Sequence, residues 1–169
     1  MFYARALEPL PSVVETPAVK LMTAADDRWN RCWVKSIALL PNVLAKNAAV
    51  AAGADEAVFV ENGLLSECSA SNFFAVIGGR VVTCPVGPKV LPGITRGVLL
   101  EIARELGIGV EERAMTEAEA RGAEEIFITS TTREISPVSH WDGKAVGRGN
   151  AVTRKLHVAL KARVAREVL

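Results

Sequence analysis

The sequence predicts a layered α/β (α+β) domain in which hairpin strands share a core with separate helices. Short apolar runs flank the tight turns Asn62-Gly63 and Gly78-Gly79, and glycine pairs of this kind signal hairpins. Two longer stretches carry apolar residues on one helical face. These are Val98, Leu99, Ile102 and Leu106 in one, and Val152, Leu156, Leu160 and Val164 in the other, the spacing of amphipathic helices. Of the 169 residues, 50% are hydrophobic and 23% charged, which is enough apolar side chain for one sizeable core.

The elements follow in order. Residues 1–17 contain Pro9, Pro11 and Pro17 and little periodicity, so they read as a linker-like lead-in, with the domain proper at 18–169. Residues 18–22 form a strand, followed by a polar turn at Asp26-Asp27-Arg28, and Cys32 to Lys35 read as extended. Pro41 suits the first turn of a helix over Asn42 to Ala52, which Gly53 ends as a C′ residue. Ala57 to Val60 pairs with a return strand starting at Leu64-Leu65, and Phe73 to Ile77 pairs with Arg80 to Thr83. Thr95 is the expected N-cap of the helix that Gly107 ends, and Thr116 with Glu119 matches a capping box. Glu125 to Thr129 is a buried-type strand running into a Ser/Thr cluster. Ile135 to Val146 is a hairpin turning at Asp142-Gly143, and Asn150 to Val168 is the last helix.

Composition excludes several function classes. A formal charge of +1 offers no field for nucleic acid or a membrane surface. Cys32, Cys68 and Cys84 are odd in number and lack CxxC spacing, which argues against a disulfide framework or a metal site and suits a reducing cytoplasm. The first residues lack a basic start followed by an apolar core, so no signal peptide is expected. The apolar run from Ala48 to Ala52 is far too short to cross a bilayer. No Walker or GxGxxG loop is present, so a nucleotide is not the natural ligand.

Four places carry chemistry. Lys35 sits among Trp33, Val34, Ile37 and Leu39, and partial apolar burial would favour the neutral amine that attacks a carbonyl. Glu67 stands beside an Asn-Phe-Phe strand, where a carboxylate can face a protonated ring nitrogen. Gly93-Ile94-Thr95 at a helix start presents free N–H groups and a positive dipole end to an anion. Ser130 and Thr131, just past a strand, add further donors. Each has an ordinary reading when taken singly: a solvated lysine, a strand-end glutamate, a plain cap and a polar turn. Together, an amine, an acid and two hydroxyl-bearing turns are the parts of a pyridoxal 5′-phosphate (PLP) site. His140 and His157 read as structural or exposed, and Arg154, Lys155, Lys161, Arg163 and Arg166 as a solvated helix face.

In this order the segments resemble the class IV (fold type IV) PLP-dependent aminotransferases. That family includes D-amino-acid and branched-chain transaminases and aminodeoxychorismate lyase. The resemblance rests on Glu67, Ser69, Asn72, Phe73, Phe74, Val81, Thr83, Leu91, Gly93, Ile94 and Arg96, and covers about residue 18 to the C-terminus. The segments KSIALLPNVLAK and TSTTREISPV look most like D-amino-acid transaminases. The resemblance implies the family's large C-terminal domain, a pseudo-barrel of mixed strands with surrounding helices. It implies Lys35 as the Schiff-base lysine and proton shuttle, Glu67 on the ring nitrogen, and Leu91 beside the ring. Ile94 and Thr95 would hold the phosphate through backbone N–H groups, with Thr131 and Ser130 adding hydroxyls. It further implies amino-acid and 2-oxo-acid substrates and a homodimer or other self-association. The family's small N-terminal domain, which supplies an arginine to the phosphate, is not matched. The chain is therefore expected to be an aminotransferase, complete or in truncated form, a lyase on the same scaffold, or a non-catalytic fragment needing a partner.

Overall fold

The computed structural model describes residues 16–167; most of the proline-containing lead-in, and Val168 of the last helix, lie outside them. The elements are β1 (Val19–Ala25), α1 (Leu40–Ala51), β2 (Glu56–Glu61), β3 (Leu64–Cys68), β4 (Asn72–Ile77) and β5 (Arg80–Thr83). They continue with α2 (Ile94–Glu105), β6 (Val110–Glu112), α3 (Glu117–Arg121), β7 (Glu125–Ser130), β8 (Glu134–Trp141), β9 (Lys144–Ala145) and α4 (Ala151–Glu167). The strands join in the order β3-β2-β1-β8-β7-β4-β5-β6, with β9 on β8. The sheet is mixed: β1 runs parallel to β2 and β8, β5 parallel to β6, and the remaining pairs are antiparallel.

Alternation along the central strands builds two cores. On β4, Phe73 and Ala75 point to one side and Phe74 and Val76 to the other; on β7, Ile126 and Ile128 oppose Phe127. The first side gathers residues from β1 to β5, β7 and β8 into one cluster with Met115 and Trp141, so the sheet curls around it. The second side packs on Leu99, Leu100, Ile102 and Ala103 of α2 and Leu156 and Leu160 of α4. Strands buried on both faces explain why FFAV and IFIT read as continuous apolar runs. Phe74 and Phe127 sit opposite each other in register, with stacked rings 5.0 Å apart. The pair locks the β4–β7 seam beneath the helices.

Local chemistry sets the turns. Asn62 and Gly63 take φ of 52° and 76°, the left-handed pair that a two-residue hairpin requires. Pro41 lies in the first turn of α1, and Gly53 follows its C-cap at φ 79°. Several expectations are corrected. Asp26 and Arg28 do not form a solvated turn; both are buried as an ion pair. Cys32 to Lys35 follow a turn rather than an extended path. The N-cap of α2 is Gly93, and Thr95 lies inside the first turn without capping it. Thr116 does accept from the Glu119 N–H, but the Glu119 carboxylate turns to Arg113, so only half of the capping box forms. The strand β6 had no forewarning in the pattern. Among the described residues no helix is long and apolar enough to cross a membrane.

Candidate active site

Four chain segments converge on one cleft of about 480 Å³. They are the loop between β1 and α1, the end of β3, the approach to α2, and the end of β7. All seven residues expected from the sequence line it: Lys35 and Glu67, then Leu91, Ile94 and Thr95, then Ser130 and Thr131. The amine, the acid and the two hydroxyl-bearing turns therefore line one shared space.

Glu67 is 6% exposed and held by three donors. Arg28 Nη1 reaches Oε1 at 2.6 Å, while Asn72 Nδ2 and the Leu91 N–H reach Oε2 at 3.0 and 2.9 Å. Burial pushes its pKa above the ordinary carboxylate value, and the Leu91 N–H and the Arg28 charge pull against that rise. Asn72 also donates to the Leu91 carbonyl at 2.9 Å, so one side chain fixes both the acid and the loop over it. Gly93 is required beside it: a Cβ there would collide with Asn72 Oδ1.

The start of α2 has no side-chain cap. The Ile94 and Thr95 N–H groups have no hydrogen-bond partner among the described residues. Across from it, the turn after β7 is shaped by Ser130 Oγ, which accepts from the Arg133 N–H at 3.2 Å. Thr129, 2% exposed, lines the same cleft with an Oγ1 that has no hydrogen-bond partner among the described residues. A buried hydroxyl left unpaired is costly, so this one is available to a ligand in the cleft that it lines.

Lys35 has the ordinary solvated surroundings of a lysine and lacks the partial apolar burial that its neighbours allow. It is exposed, and Trp33 and Ile37, at 50% and 99% exposure, do not fold over it. The irregular segment leading to α1 places the amine at the cleft mouth without an apolar roof. His157 is buried and bonds Glu134 at 3.0 Å, a structural role as expected. The basic residues of α4 are not all solvated: Arg163 pairs with Glu101 of α2, and Lys161 with Glu134.

Sequence reasoning missed Arg28, the bridging role of Asn72, and the orphan hydroxyl of Thr129. A signal existed for the first, because an Asp and an Arg two apart directly after an apolar strand can pair as a fork. Arg28 bonds Asp26 through Nε and Nη2 at 2.9 and 2.8 Å. The cleft thus offers an amine at its mouth, a tethered acid in its wall, and unsatisfied donors at a helix start and beneath it. These features fit a flat heterocycle with a basic ring nitrogen, a reactive carbonyl and an anionic arm.

A mixed sheet curled over one core, with such a cleft at its strand ends, is the large-domain architecture of fold type IV. Residues 1–141 match the family described as amino-transferase class IV, and the chain belongs to that family. It is 39% identical over 153 residues to the D-alanine aminotransferase of Bacillus licheniformis, covering 89% of this chain and 54% of that protein. It is 44% identical over 139 residues to the D-alanine aminotransferase of Listeria monocytogenes serotype 4b, covering 81% and 48%. Among solved structures, the branched-chain amino acid aminotransferase of Thermobaculum terrenum in its PLP form superposes with a TM-score of 0.82 at 28% identity, covering 92% of this chain and 54% of that one. A putative 4-amino-4-deoxychorismate lyase from Legionella pneumophila superposes with a TM-score of 0.79 at 25% identity, covering 88% and 57%. The chain spans about half the length of the curated relatives it matches.

Proposed function

We propose that residues 18–169 form the cofactor-binding large domain of a PLP-dependent aminotransferase acting on amino acids and 2-oxo acids. The observation carrying this reading is the single cleft that Lys35, Glu67 and the free N–H groups of Ile94 and Thr95 share. When bound, PLP supplies an electron sink for the bond broken at the substrate Cα. Lys35 Nζ would be the amine that holds the cofactor, and it would carry the proton to and from the substrate Cα. Glu67, tethered by Asn72 and the Leu91 N–H, would accept from the ring nitrogen, and Leu91 would pack beside the ring. Ile94 and Thr95 would hold the phosphate through backbone N–H groups at the helix start, with Thr131, Ser130 and Thr129 adding hydroxyls.

Similarity to D-alanine aminotransferases over most of this chain favours D-amino acids as donors. A lyase reading on the same scaffold is favoured by the Legionella neighbour; pyruvate release without an amino acceptor would select it. The three cysteines are free and buried, which supports a reducing, cytoplasmic setting. Among the residues lining the cleft, Trp33, Leu39 and Ile94 are 50%, 48% and 81% exposed. We read this exposed lining as a self-association or partner surface, and a monomer in light scattering at every concentration would remove the self-association reading. The central test is titration of the purified chain with PLP. Wild type should develop the visible absorbance of cofactor held on an amine, and Lys35→Ala should lose it. Absence of the band in wild type would overturn the proposal.

A further inference from the structure

Beside Glu67 in the cleft wall, a row of charges runs from Arg28, which itself lines the cleft, to the buried Asp26 and the partly buried Lys89. Arg28 is 4% exposed, and its guanidinium bonds both neighbours at once. Nη1 meets Glu67 Oε1 at 2.6 Å, while Nε and Nη2 fork onto Asp26 at 2.9 and 2.8 Å. Nη2 also reaches the Lys89 carbonyl at 2.8 Å, and the guanidinium lies 4.2 Å from the centre of the Phe59 ring. Asp26, 6% exposed, accepts from Ser66 Oγ at 2.7 Å and faces Lys89 Nζ at 3.5 Å. The signs alternate from Lys89 through Asp26 and Arg28 to Glu67. A protonated ring nitrogen in the cleft would extend the same alternation by one step.

We infer that Arg28 is a positioning residue that, clamped by Asp26, holds Glu67 ionised and aimed into the cleft. This deepens the function proposed above and rests on it for the identity of the ligand. Burial alone drives Glu67 toward its neutral form, and the positive charge at 2.6 Å opposes that directly. Asp26 has the converse part. By sharing the guanidinium it tempers the pull on Glu67, which stays basic enough to accept from a ring nitrogen. Asp26 itself remains ionised: burial opposes its charge, but hydrogen bonds from Arg28 and Ser66 and the charges of Arg28 and Lys89 outweigh it. The other titratable groups near Glu67 are the thiols of Cys32, Cys68 and Cys84, with Lys35 across the cleft. Burial raises all three thiols, Cys84 to about 11, so they add no charge at neutral pH.

The test is the titration of the Glu67 carboxyl by ¹³C NMR in the cofactor-free full chain, with circular dichroism confirming the fold. Arg28→Met should raise the Glu67 midpoint by about one pH unit or more, and Asp26→Asn should lower it, since an opposite charge at this range acts on that scale. Lys89→Gln, at the more exposed end of the row, should raise it by less. Arg28→Lys, which restores the charge but not the fork, should return part of the Arg28→Met change. A side chain that only packs would not produce shifts of opposite sign, and a variant that does not fold leaves the sign of the others to decide. An unmoved midpoint in the folded variants, or shifts of the same sign for Arg28→Met and Asp26→Asn, would overturn the inference. Because no PLP is present, this failure is distinguishable from failure of wild type to bind PLP.

Discussion

Asn72 joins the acid to the turn that opens α2. Its Nδ2 bonds Glu67 and the Leu91 carbonyl, and its Oδ1 leaves room at Gly93 for no side chain beyond hydrogen. Gly93→Ala therefore pushes Asn72 away and loosens Glu67, Leu91 and the start of α2 together. We expect the affinity for PLP to fall at least about tenfold, with a stability loss of about 1–3 kcal/mol from overpacking. Unchanged binding in an absorbance titration would show that the contact is not coupled to the site. Glycine at this place was legible in the sequence as part of the turn, but its physical reason was not, because the crowding atom lies twenty-one positions earlier on another strand. The same holds for Arg28: its partner Glu67 is separated from it by two elements, and no local pattern marks a pairing of that kind.

At the scale of elements, the β8–β9 turn ties β1 to α3. Asp142 accepts from the Thr23 N–H and Oγ1 at 2.8 and 2.7 Å and pairs with Arg121, while Trp141 Nε1 donates to Thr23 Oγ1 at 2.9 Å. Burial opposes the Asp142 charge, but these hydrogen bonds outweigh it and hold its pKa below the ordinary 3.8. A carboxylate depressed in the folded state binds protons more weakly there than in the unfolded chain. Its stabilisation is therefore complete above the ordinary pKa and drains as pH falls through the lower folded value. Asp142→Asn keeps the left-handed backbone, φ 47°, and removes this titration. Urea unfolding between pH 5 and pH 2 should find the wild type losing more stability than the variant, by at most about 1 kcal/mol at this solvent-screened site. Identical pH profiles would contradict the assignment. The hairpins, α1, α3 and α4 were readable because turn chemistry and apolar period are local. The strand β6 was not, since its three residues are fixed by parallel pairing to β5 rather than by any pattern of their own.

For the whole molecule, one curled sheet brings four distant segments to a common cleft. The sequence could name the residues that meet there because each lies at a strand end or helix start with its own chemical signature. It left Lys35 between an ordinary solvated lysine and a partly buried one, and the structure gives the first, since what covers an amine depends on packing beyond its neighbours in the chain. The central claim is that this cleft binds PLP covalently through that one lysine. Its most direct test is borohydride reduction of the chain after equilibration with PLP, followed by peptide mapping by mass spectrometry. The account predicts a reduced pyridoxyl adduct concentrated on Lys35. Adducts scattered over surface lysines such as Lys20, Lys144 and Lys155, or no adduct at all, would contradict it.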